Sequence, residues 1–131
     1  MGLDVNKTSR DYLYGRLLAV AERIEELALY IADENRATTA AKLMQRFAER
    51  PYSTWRTIEL QIKPYMMRLQ NARPGFLTNR NKELDTIMDM FNPEEFLLDT
   101  PLPGEFLLAF HCQRLHLKFS KQNENNSEKE E

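Results

Sequence analysis

The stretch SRDYLYGRLLAVAERIEELALYIAD, residues 9–33, carries apolar side chains at Leu13, Leu17, Val20, Ile24, Leu27 and Ile31. The intervals alternate four and three, which sets all six on one face of an α-helix. A second row, Tyr14, Leu18, Ala21 and Ala28, widens that face, so this helix is expected to pack against more than one neighbour. Thr8 or Ser9 suits the N-cap and Asp11 the first turn. At 1.5 Å per residue the helix would be on the order of 35 Å long.

The same period recurs outward from this segment. A second helix is expected from about Thr38 to Glu49, with Leu43, Met44 and Phe47 apolar. Pro51 forces a break and suits the first turn of a third helix, about Ser53 to Ala72, whose buried stripe is Trp55, Ile58, Ile62, Tyr65 or Met66, and Leu69. Pro64 lies inside that stripe and predicts a kink. Arg73-Pro74-Gly75 ends it, a shorter helix runs from about Asn79 to Phe91, and a proline-rich connector from Asn92 to Pro103 holds at most one turn at Glu94 to Leu98. The last helix, about Pro103 to Ser120, is apolar nearly all round at Phe106 to Phe110, which predicts a central position. No stretch alternates convincingly as a strand. The expected fold is all-α: one bundle of about five helices over 9–120, an N-terminal extension at 1–8 and a disordered polar tail at 121–131. Leu17, Val20, Ile24, Phe47, Trp55, Ile62, Leu69, Ile87, Phe106 and Phe110 form the expected core.

The 131 residues fit one domain, with 42% hydrophobic and 29% charged residues. Cys112 is the single cysteine, so no intrachain disulfide can form, as suits a reducing cytoplasm. The opening residues have no apolar core of a signal peptide, and no apolar run approaches the length of a membrane span. Net charge is −2, but it is unevenly spread. Between Arg36 and Lys82 stand ten bases and only two acids, Glu49 and Glu59. Such an excess on adjacent helices attracts phosphates, and the interleaved Tyr52, Trp55 and Tyr65 could stack on bases, although Trp55 belongs to the buried stripe. The alternative is a solvated face completed by acids of the first helix, such as Glu22, Glu25 and Glu26.

Little in the sequence points to catalysis. His111 and His116 are five apart, about 140° round a helix, and cannot chelate one metal as a pair four apart could. Cys112 beside His111 points in another direction. The four glycines are scattered and form no phosphate loop. No enzyme, metal or cofactor is expected.

Three segments are similar to one known family. YLYGRLLAVAERIEELA, Tyr12 to Ala28, resembles the segment that opens the C-terminal region of the type I-C CRISPR-associated large subunit. GEFLLAFHCQR, Gly104 to Arg114, resembles that region's closing motif, and AAKLMQRFAERPYSTW, which begins at Ala40, is similar to its middle segment. The chain departs from the pattern at Ala109-Phe110, where two aromatics are usual, and at Ala40-Ala41-Lys42, where Asp-Arg-Tyr is common. The resemblance implies a separately initiated small subunit of a Cascade surveillance complex. Its implied partners are the backbone subunits and the large subunit, the guide RNA, another copy of itself, and target DNA, especially the displaced strand. Sequence is then read by base pairing, so protein contacts need only shape and phosphates. The bases expected to supply the nucleic-acid face are Lys42, Arg46, Arg50, Arg56, Lys63, Arg68 and Arg73, joined by Arg16 and Arg114 from the family-like motifs. The competing expectation is a helical adaptor that touches only protein.

Overall fold

The computed structural model describes residues 2–130, with side chains through 117. Among the described residues there are seven helices and no strand: α1 (Arg10–Ile31), α2 (Thr39–Lys42), α3 (Met44–Glu49), α4 (Pro51–Ala72), α5 (Pro74–Met90), α6 (Pro93–Phe96) and α7 (Glu105–Glu130). The expected tail at 121–131 lies outside the residues whose side chains are described.

The centre of the bundle is α1, not the last helix. From Tyr12 to Leu29 only Arg23 and Glu26 of α1 escape full burial. Neighbours lie on several sides, α7, α4 and α5 the most extensive, with α2 across one end. The two apolar rows read from the sequence are the physical reason, since together they make a face wide enough to pack against more than one neighbour. On α7 the run Phe106–Phe110 is divided: Phe106, Ala109 and Phe110 are buried, while Leu107 and Leu108 are 41% and 43% exposed. All ten expected core residues are buried. A fully buried side chain of this size contributes about 1.5–3 kcal/mol by leaving water.

Helix ends follow the local chemistry. α1 closes on Asp33 at φ 57°, with Asp33 N–H donating to Tyr30 O and Glu34 N–H to Leu29 O, a Schellman close carried by an aspartate. Ser9 stands at the N-cap of α1 but makes no capping bond, whereas the Thr38 hydroxyl accepts from Ala41 N–H at 3.1 Å and caps α2. The expected second helix is broken at Leu43 into α2 and α3. α4 continues through Pro64 as one helix; the proline is on the exposed side, where water can take the carbonyl it leaves unpaired. The N-terminus of α4 lacks a cap of its own. Asp99 of the connector supplies one, accepting from Ser53 N–H at 3.0 Å. Arg10 holds the same connector by donating to the carbonyls of Glu95, Leu98 and Thr100 at 3.1, 2.9 and 2.7 Å. α5 starts at Pro74, five residues earlier than its apolar spacing implied, because Pro74 takes the first helical position directly after Arg73.

Candidate nucleic-acid interface

The bases of the central segment and of the two family-like motifs fall into three groups. The first is exposed. Lys42 on α2, Arg46 on α3, Arg50 at the α3–α4 joint, and Arg56 and Lys63 on α4 all face solvent. Among the described residues none of the five forms an ion pair with a carboxylate. Arg56 donates to the Tyr52 hydroxyl at 3.0 Å and lies over that ring, which holds the guanidinium near the surface of α4. Arg56 and Lys63 also flank Glu59 by one turn on either side. Burial raises the Glu59 pKa, and those two cations only partly offset it.

The second group is committed inside the fold. Arg68 donates to Ala28 O at 3.3 Å and lies 3.6 Å from Glu34. Arg36 pairs with the buried Glu25 at 2.9 Å and bonds the Tyr65 hydroxyl. The Tyr65 ring is covered by both guanidinia, at 5.2 and 5.6 Å. Glu25 also accepts from Thr39 N–H at 3.0 Å, so it ties α1 to the start of α2. An acid of the first helix therefore neutralises part of the basic segment, as the solvated-face alternative anticipated. Arg73 stands between the two groups: it is exposed at the α4–α5 joint and lies over Phe76 at 5.7 Å.

The third group corrects the sequence reading. Arg16 is 2% exposed and cannot reach a phosphate. Its Nε donates to Gln113 Oε1 at 2.8 Å, Gln113 Nε2 donates to Glu83 Oε1 at 2.8 Å, and its guanidinium lies 3.7 Å from Glu83. Burial pulls the Arg16 pKa down and Glu83 pushes it back up. Arg114 pairs with Glu22 at 3.1 Å and Glu26 at 3.5 Å. Gly15, next to Arg16, lets α7 approach: a Cβ there would sit 2.1 Å from Phe106 O. The opening and closing motifs thus meet each other, Gly15-Arg16 on Phe106 and Gln113, and Glu22 on Arg114. Their work is to hold α1 against α7.

Of the aromatics, Trp55 is 3% exposed, and Tyr52 packs edge-on to Phe96 at 5.5 Å. Tyr14, Phe47, Phe91 and Phe96 form one cluster, with the Tyr14 hydroxyl bonded to Phe96 O. Burial pushes the Tyr14 pKa well above its usual value. His111 and His116 are both exposed, and among the described residues no three His, Cys, Asp or Glu side chains gather as metal ligands. No described helix is long and apolar enough to cross a membrane.

A groove of about 270 Å³, which the sequence does not announce, opens between α4 and α5. It is lined by Trp55, Glu59, Ile62, Lys63, Met66, Leu84, Asp85 and Met88. Its two walls are helices whose apolar stripes both read as core. Periodicity along one helix carries no sign of where two neighbours fail to close.

Comparison with known proteins places this architecture. No curated protein matches the chain. Residues 1–118 match the family described as CRISPR-associated protein (Cas_Csd1), a span that takes in all seven helices at least in part, including both ends of the α1–α7 contact. The chain belongs to the CRISPR-associated Cas_Csd1 family.

Proposed function

We propose that this chain is a non-catalytic small subunit of a type I-C CRISPR surveillance complex. In this reading it packs along the backbone subunits and guide RNA, and holds the displaced DNA strand by sequence-independent phosphate contacts. The observation that carries the proposal is the row of exposed bases, Lys42, Arg46, Arg50, Arg56 and Lys63, which remains after the internal ion pairs are removed. Family membership supplies the context. Arg16, Arg68 and Arg114, being used inside the fold, are left out of the interface, and Arg73 stands at its margin.

The test replaces Lys42, Arg46, Arg50 and Arg56 together with glutamine and measures single-stranded DNA binding against salt, for the chain alone and assembled with its backbone subunits. Each phosphate that no longer meets a cation should flatten the log–log slope by about 0.7. An unchanged slope overturns the proposal. The competing reading, an adaptor that binds only protein, is favoured by the exposed Leu107, Leu108 and Leu115 on α7, and it predicts assembly with no dependence on the four bases.

A further inference from the structure

We infer that the groove between α4 and α5 is a pocket for one unstacked nucleobase carrying an exocyclic amine, entered from a strand whose phosphates lie against Arg56 and Lys63. The inference rests on the nucleic-acid reading above and adds a binding site to it.

Four observations carry it. The groove, at about 270 Å³, falls just below the roughly 300 Å³ at which drug-sized sites begin, so it suits a single planar group. Its floor is Met66 and Met88, two half-buried polarizable thioethers, beside the small accessible margin of the otherwise buried Trp55, an apolar surface against which a base can leave water. Lys63 lines the groove itself and Arg56 lies two turns before it on α4, so the cations reach the backbone of a strand whose base turns inward. The fourth is the pair of carboxylates: Glu59 from α4 and Asp85 from α5, both in the lining. Carboxylates accept from the amine of cytosine and repel the paired carbonyls of thymine.

The chain has one tryptophan, which makes Trp55 fluorescence a reporter of the groove. Strands of about 12 nucleotides are compared: oligo(dC), oligo(dT), and an abasic chain of the same charge. Oligo(dC) should quench Trp55 and bind roughly tenfold more tightly than the abasic chain, with oligo(dT) weaker than oligo(dC). E59Q/D85N, two changes on the surface, should erase the preference for oligo(dC) while raising affinity for every strand, because two negative charges leave the path of the phosphates. Equal binding of all three strands with unaltered Trp55 emission overturns the groove and leaves the phosphate-contact reading standing. Failure of every strand to bind overturns both.

Discussion

Gly15 sits where two helices touch backbone to backbone. In a helix interior glycine costs about 0.5–1 kcal/mol relative to alanine, so an alanine there would help if space allowed. Space does not allow it: the added Cβ would meet Phe106 O at 2.1 Å, the Ala109 Cβ at 2.9 Å and Phe106 C at 3.0 Å. Two of those atoms are backbone and cannot swing aside. G15A should therefore destabilise the chain by about 1–3 kcal/mol or more, as forced overpacking does, read as a lower urea midpoint. A midpoint that rises, as helix propensity alone would dictate, would show that α1 and α7 are not held this closely. The same scale explains why the sequence points Arg16 outward and the fold does not. It stands in a helix amid apolar residues, and its partner Gln113 lies 97 positions away. Nothing local distinguishes a buried, bonded arginine from one that reaches outward. A charge so buried is stable only with its bonds intact, which is why the Gly-Arg and Gln-Arg pairs of the two motifs belong to one structural joint.

At the scale of elements, periodicity locates every long helix, and its limits are equally physical. A stripe says which side of a helix is buried but not how many neighbours share it. The run Phe106–Phe110 is apolar all round and suggests a central helix, yet α1, with polar residues at Arg16, Glu22 and Glu25, is the one enclosed. Enclosure is tolerated because each of those groups has a partner: Arg16 donates to Gln113, Glu22 forms an ion pair with Arg114 and accepts from Thr38, and Glu25 accepts from Arg36 and Thr39. Glu22 still bears a cost. Desolvation raises its pKa above the ordinary 4.5, opposed by Arg114, while Glu26 raises it further. A carboxyl with a raised folded pKa binds its proton more readily when folded, so its ionisation weakens folding as pH climbs from 4.5 through the raised value. E22Q removes that titration. Its stability relative to the parent chain should improve between about pH 4 and pH 7, measured by urea unfolding at both. A difference that stays flat, or falls with rising pH, would mean that Arg114 outweighs the desolvation at the α1–α7 joint.

Across the whole molecule the fold is legible in the sequence and the charge pattern only half so. Hydrophobic spacing is one-dimensional information, and all ten core residues chosen from it are buried. Charge compensation is three-dimensional: Glu25 and Glu34 of the first helix and its exit reach Arg36 and Arg68, which no count along the segment 36–82 could register. The bases therefore have two kinds of work, and substitution should separate them. R36Q and R68Q remove cations that hold α1 to the segment after it and to α4. Without Arg36 the buried Glu25 is short of a partner, so R36Q should cost about 1–3 kcal/mol of stability, the usual result when a buried acceptor is deprived of its donor, while R68Q, whose partner Glu34 is exposed, should cost less. Neither should alter the salt slope of single-stranded DNA binding. K42Q, R46Q and R50Q carry the opposite expectation: unfolding free energies within about 0.5 kcal/mol of the parent, as for ordinary surface positions, and a slope flattened by about 0.7 for each phosphate left without its cation. The contrast follows from the geometry, since one set faces carboxylates and the other faces solvent. If R68Q flattened the slope as strongly as K42Q, the internal pairs would be exchanging for phosphates on binding, and the division into structural and open bases would fail.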